Sequence, residues 1–260
     1  MTAKPLRIGL FADNLRLPVR DGILKTAELG VPSFQMGTTS GEMLPDNMSK
    51  AQRADFQKFY KDQGLWLSAT CADFGHGFVD AEMNKELVPK TIAQVDMAVD
   101  LGTSIITTHI GVVPATPDAT WETLRVALNE IGKYAEDKGI TFATETGPES
   151  GPVLRNLLQS LDTTAVKVNL DPANLTMAGF DLMEALDALH PYIVHTHAKD
   201  GFVDPGKWRE APLGQGDVNW PQYIAKLRDL GYDGAYTIER ELGEDPIADI
   251  KMAIDFLKTL

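Results

Sequence analysis

Short apolar runs alternate with longer amphipathic segments from one end of the chain to the other. The short runs read as strands, and segments with apolar residues every three or four positions read as helices. LRIGLFAD is the first strand, and the short helix DGILKTAELG after it stops at Gly30, a residue suited to a helix C-terminus. VPSFQMG is the second strand. The next helix, SKAQRADFQKFYKDQG, is opened by Ser49 and closed by Gly64. LWLSATCAD is the third strand and leads through the glycine-rich FGHGF into AEMNKELVPKTIAQVDMAVDLG, a helix that Pro89 is expected to break or delay. SIITTHIG, the fourth strand, precedes the helix WETLRVALNEIGKYAEDKG.

The second half repeats the pattern. ITFATE is followed by GPVLRNLLQSLD, VKVNLD by DLMEALDALH, YIVHTH by a long loop and NWPQYIAKLRDLG, and AYTIE by DPIADIKMAIDFLKTL. Eight strand–helix units without a linker predict an α/β fold, a (β/α)8 TIM barrel forming a single domain over residues 1–260. An open sheet is the alternative, because strand number alone does not prove closure. The length of 260 residues suits a barrel, which takes about 250. The longest irregular stretch, AKDGFVDPGKWREAPLGQGDV, follows the seventh strand. Long loops of this kind are usually functional, so it is expected to form a lid or wall of a substrate pocket, with Trp208 and Arg209 as substrate-binding candidates.

Composition narrows the partners. A formal net charge of −13 repels polyanions, which argues against nucleic acid and anionic membrane surfaces. Cys71 has no intramolecular mate, so a reducing, cytoplasmic compartment is expected. MTAKPLRIGLFAD carries no signal-peptide core, and no apolar run reaches membrane-spanning length.

The candidate chemistry lies at the strand ends. Glu145 closes ITFATE, Asp171 closes VKVNLD, His197 closes YIVHTH and Glu239 closes AYTIE. Barrel enzymes place their reactive groups where strands end and loops begin. Three carboxylates and one imidazole, with no thiolate, form a ligand set for one divalent metal ion, Mn²⁺ first, with Mg²⁺ or Co²⁺ open. Four protein ligands leave room for two substrate oxygens, and such an ion polarises a carbonyl. Singly, each residue also reads as a surface acid at a helix N-terminus; the strength lies in the set.

The residues two positions earlier, Ala143, Asn169, His195 and Thr237, point the same way as the ligands. They form either a layer that orients the ligands, with His195 as the best candidate, or a hydrogen-bonded polar layer inside the barrel. His109 ends ITTHIG and is a substrate-binding candidate or a rim histidine. Lys199 shares the direction of His197, so it contacts a substrate oxygen or phosphate, or pairs with Asp200 or another rim acid. His76 in FGHGF reads as a loop histidine beside the pocket. Glu149 and Glu241 read as solvated or outer acids, and His190 as a helix-terminal residue without chemistry. Trp208 covers the substrate or packs at a subunit contact. The sequence has no G-x-S-x-G, no G-x-x-x-x-G-K-[ST] and no strand-linked G-x-G-x-x-G.

IGLFADNLRLP, TAELG, ATET, NLDPAN, HTHAKDG, PLGQGDVNW and LGYDGAYTIERE, in this order, resemble the sugar isomerase/epimerase superfamily with the xylose isomerase-like TIM barrel. The last three are the most specific. The resemblance implies that Glu145, Asp171, His197 and Glu239 bind one divalent ion. In ketose 3-epimerases of the superfamily the two Glu ligands also move protons on opposite faces of the substrate carbon, which implies catalytic roles for Glu145 and Glu239. Those enzymes carry a substrate-binding His three residues after the strand-six Asp. Asn174 stands there in this chain, able to bond a hydroxyl but not to carry charge. The implied activity is a metal-dependent isomerase or epimerase acting on a sugar or polyol-derived hydroxycarbonyl compound, in a protein that forms homo-oligomers. The alternatives are an inosose-type dehydratase using the same site, a hydrolase of the AP endonuclease type, and a non-catalytic metal- or sugar-binding barrel. Five histidines and the acidic balance argue against the hydrolase.

Overall fold

The computed structural model describes residues 5–204 and 206–260; the first four residues of the expected domain and Pro205 of the long loop lie outside them. Eight parallel strands close into a barrel. They are β1 (Arg7–Phe11), β2 (Ser33–Gly37), β3 (Trp66–Cys71), β4 (Ile105–Thr108), β5 (Thr141–Glu145), β6 (Val166–Leu170), β7 (Ile193–Ala198) and, after a short antiparallel ribbon of β8 (Asp200–Gly201) and β9 (Glu210–Ala211), β10 (Ala235–Ile238). β1 pairs with both β2 and β10, which closes the sheet and rules out the open alternative.

The connecting helices are α1 (Val19–Glu28), α2 (Lys50–Asp62), α3 (Ala81–Leu101), α4 (Ala119–Asp137), α5 (Gly151–Gln159), α6 (Pro172–Met177), α7 (Leu182–Leu189), α8 (Trp220–Asp229) and α9 (Pro246–Leu257). Ser49 and Gln52 form the capping box that starts α2. Pro89 does not interrupt α3. A proline there removes one helical hydrogen bond, at a cost of about 3 kcal/mol. Leu87, Val88, Thr91, Val95 and Ala98 are buried on either side of it and hold the helix against the barrel. The helix then stops at Gly102, whose φ of 82° puts it in the left-handed region.

Alternation along the strands separates two environments. Leu10, Ile106, Phe142, Val168 and Ile238 join helix residues such as Leu124 and Leu157 in the main apolar core. The intervening residues face the barrel axis, and towards the mouth they are polar: Gln35, Asn169, His195, His197 and Thr237 are all at most 1% exposed. Gly9 belongs to this inner layer because a Cβ there would lie 2.9 Å from both Ser33 Oγ and Thr237 Oγ1. No helix among the described residues is long and apolar enough to cross a membrane.

Candidate metal centre and substrate cleft

β5, β6, β7 and β10 are neighbours in the barrel, and their C-terminal ends bring Glu145, Asp171, His197 and Glu239 together. All four side chains are buried, and one ligand atom from each lies within 4.8 Å of the others. An octahedral ion with ligand bonds of about 2.1 Å spans about 4.2 Å between opposite ligands, so the cage needs only a small contraction to grip one cation. His197 Nδ1 faces the carboxylates, 3.1 Å from Glu239, 3.5 Å from Glu145 and 3.7 Å from Asp171. It has no hydrogen-bond partner, and neither does Asp171 Oδ2. Two orphaned, buried donor atoms aimed at one point in an oxygen-rich set fit a divalent cation.

Local structure explains each orientation. Asp171 caps α6: its Oδ1 accepts from the backbone amides of Ala173 and Asn174, which turns Oδ2 into the cage. His197 Nε2 donates to Gln35 Oε1 at 3.0 Å, which presents Nδ1 to the cage. With that proton on Nε2, the 3.2 Å approach of Asn169 Nδ2 is a contact and not a bond. Asn169 Nδ2 donates instead to Glu145 Oε2. His195 donates from Nδ1 to Asn169 Oδ1 at 2.8 Å and accepts from Thr237 Oγ1 at Nε2. His195 thus reaches the ligands through Asn169, and the two readings of the inner layer describe one network.

The cage is electrostatically tense. Burial would raise all three carboxyls, but His109 and His197 pull Glu145 well below the usual range, and His197 and Lys199 bring Glu239 down to about 2. Burial prevails at Asp171, pushed up to about 6. His197 is raised well above its usual range in spite of its burial, by Glu239 and Glu145. Burial and the charge of His197 lower His195 to about 3, so it is neutral. Three carboxylates in one buried space call for positive charge, which His197 and Lys199 provide here and a divalent cation could also provide.

A cleft of about 370 Å³ lies beside the cage, with His76, His109, Asn174, Lys199, Trp208 and Glu241 in its wall; His109 and Asn174 reach Glu145 from it, and Lys199 reaches Glu239. Asn174 Nδ2 donates to Glu145 Oε1 at 2.9 Å, and Asn174 Oδ1 is buried without a partner. His109 Nδ1 bonds Asp73, and its Nε2 lies 3.5 Å from Glu145. Glu145 raises His109 to about 11 against the effect of burial, with help from Asp73.

Some expectations are corrected. Of the two pairings expected for Lys199, the one with Asp200 does not form and the one with another rim acid does: its Nζ lies 2.5 Å from Glu241 Oε2 and also 3.0 Å from Glu239 Oε2. Adjacent residues of an extended segment point to opposite sides, so Asp200 faces the loop instead. Glu149 is buried, not solvated, and burial lifts it to about 7. Arg209 is not in the cleft wall: its guanidinium stacks on Phe202, 5.0 Å from the ring centre, and lies 3.8 Å from Asp204. His190 does end α7, as expected, with its Nδ1 3.2 Å from the Asp187 carbonyl. The sequence analysis does not single out Gln35 or Asp73; the available signal for Gln35 is that it alternates with Ser33 as a polar position in an otherwise apolar strand.

Residues 23–260 match the family model of the xylose isomerase-like TIM barrel. The chain belongs to this family. Within the family it is similar to the L-ribulose-5-phosphate 3-epimerase UlaE of Escherichia coli K12, 36% identical over an alignment of 277 positions, gaps included, that covers 96% of each chain. It is 24% identical over 201 residues to the uncharacterized protein MJ1311 of Methanocaldococcus jannaschii, a match over 68% of this chain and 66% of that one, just under two thirds of its length. Among solved structures, a xylose isomerase domain protein from Planctomyces limnophilus superposes with a TM-score of 0.87 at 26% identity, over 99% of this chain and 97% of that one.

Proposed function

We propose that this xylose isomerase-like barrel, one domain over residues 1–260, is a divalent-metal-dependent isomerase or epimerase of a sugar or a similar hydroxycarbonyl compound, working in a reducing, cytoplasmic compartment. The observation that carries the reading is the buried quartet with two unpartnered donor atoms, beside an open cleft whose wall residues contact it. The relationship to UlaE, named for an L-ribulose-5-phosphate 3-epimerase reaction, supports it.

Glu145, Asp171, His197 and Glu239 would hold the ion, Mn²⁺ by preference for this oxygen-rich set. When bound, the ion polarises the substrate carbonyl and acidifies the neighbouring C–H. Glu145 and Glu239 stand on strands separated by β6 and β7, so they flank a carbon placed between them. One takes the α-proton from one face, and the other returns a proton to the opposite face or to the adjacent carbon. Asn174 and His109 offer hydrogen bonds to substrate hydroxyls beside Glu145. Lys199 steadies Glu239. Trp208 walls the cleft, keeping bulk water from the carbanion-like centre.

The test is solvent exchange. A panel of ketopentoses and ketohexoses, free and phosphorylated, is incubated with the protein and Mn²⁺ in D₂O, and deuterium uptake is read by NMR. Glu239→Gln should abolish uptake while leaving the circular dichroism spectrum intact. Undiminished uptake in that variant rejects the role given to Glu239.

A further inference from the structure

Resting on the proposed function, we infer that Glu241 is a specificity-determining residue: it occupies the ammonium of Lys199, the cation that a terminal phosphate would need, so that the cleft selects uncharged hydroxycarbonyl substrates.

Lys199 is only 3% exposed, and its ammonium is shared among Glu241 at 2.5 Å, Glu239 at 3.0 Å and Asp171 at 3.9 Å. The main chain of Glu241 is anchored on both sides. Its amide donates to both carboxylate oxygens of Glu210, at 3.1 and 3.2 Å. Its carbonyl accepts from Arg16 Nη2 at 2.7 Å. Glu210 has a fully buried side chain and is itself fixed by Arg240 at 2.6 Å. The backbone of Glu241 is therefore held by a built scaffold, and from it the half-exposed side chain reaches Lys199.

The other cations near the mouth are also engaged. His109 lies between Asp73 and Glu145. Arg16 is turned to the Glu241 carbonyl, Arg209 to Phe202 and Asp204, and Arg240 to Glu210 and Asp249. Among the described residues of the cleft wall, His76 is the one basic side chain without a carboxylate partner. With a divalent cation in the cage, Lys199 and that ion together balance the three cage carboxylates. Glu241 and Asp73 then leave the cleft negative, even with His109 charged. A phosphoryl group carries about −1.5 to −2 charges and binds where unpaired donors await it. A neutral polyol chain suits this wall, which offers amide, imidazole and indole groups.

The experiment compares wild type, Glu241→Gln and Glu241→Asp. The exchange assay uses matched pairs of free ketoses and their terminal phosphates. Wild type should favour the free sugar by about tenfold or more in kcat/KM, Glu241→Gln should shift that ratio towards the phosphate by about tenfold, and Glu241→Asp should restore the wild-type preference. A second readout is independent of turnover: calorimetric titration of the metal-free protein with inorganic phosphate, in which Glu241→Gln should bind at least about ten times more tightly than wild type. A wild-type preference for the phosphorylated member overturns the inference and leaves the epimerase reading standing. So does equal phosphate affinity in wild type and Glu241→Gln. Absence of exchange with every ketose counts against the proposed function, while the phosphate titration still decides the role of Glu241.

Discussion

Gln35 Oε1 accepts a hydrogen bond from His197 Nε2 at 3.0 Å, joining the second strand to the seventh through the interior of the barrel. The amide is held in turn, because Gln35 Nε2 donates to Thr107 Oγ1 at 3.0 Å. This pair fixes the tautomer of His197 and leaves Nδ1 for the cage. Gln35→Leu removes the acceptor without a large change in volume. Affinity for Mn²⁺ should fall about 10- to 100-fold, the usual loss for such a supporting partner. Calorimetric titration checks it, and unchanged affinity would remove Gln35 from the site.

Glu149 makes stability depend on pH. It is 5% exposed, its Oε2 has no partner, and burial raises it from 4.5 to about 7. Below 4.5 both the folded and unfolded chains are protonated, and the group has no effect. Between 4.5 and about 7 the unfolded chain loses the proton while the folded one keeps it, so rising pH weakens the fold. Above that window the penalty stays constant at about 2–4 kcal/mol. Glu149→Gln should therefore gain stability over wild type between pH 5 and pH 7.5. Urea unfolding at the two pH values measures the difference; a constant offset would contradict the assignment.

Asp200 organises the loop after β7. Its carboxylate accepts from the amides of Gly201, Gly214, Gly216 and Val218 and from the indole of Trp220. Gly216 is required there, since a Cβ would come 2.2 Å from Asp200 Oδ1. The loop is thus a preformed wall, and Trp208 is carried on it. Asp200→Asn turns an NH₂ group towards these donors. It should cost about 2–4 kcal/mol and raise KM more than it lowers kcat. Denaturant unfolding and steady-state kinetics test the two effects; a fall in kcat alone would place Asp200 in the chemistry instead.

The barrel and the quartet were legible in the sequence for one reason. A strand and its helix take about 30 residues, and the four cage residues end consecutive strands of the barrel, two steps of 26 residues and one of 42 that carries the long loop. Features set by one strand's neighbours were not legible. Nothing in VPSFQMG says that Gln35 points at His197, because closure of the sheet creates that contact. The sequence leaves Lys199 a choice between Asp200 and another rim acid; the β7–β10 pairing decides it by bringing Glu239 and Glu241 to the ammonium. The short α6 hid in DPANLTM, where Asp171 was read as a strand end and is also the helix cap, with Pro172 at the first helical position. Pro89 was given its local meaning as a breaker, and tertiary packing overrode it. The burial of Glu149 depends on loop folding after β5, for which the sequence carries no periodic signal.

The central claim is that four side chains grip one cation. The most direct measurement is the anomalous difference map of a crystal soaked in manganese. One peak is predicted, about 2.1–2.3 Å from Asp171 Oδ2, His197 Nδ1 and one oxygen each of Glu145 and Glu239. An ion bound elsewhere, or a cage that stays empty at saturating Mn²⁺ with His197 turned away from the carboxylates, would contradict it.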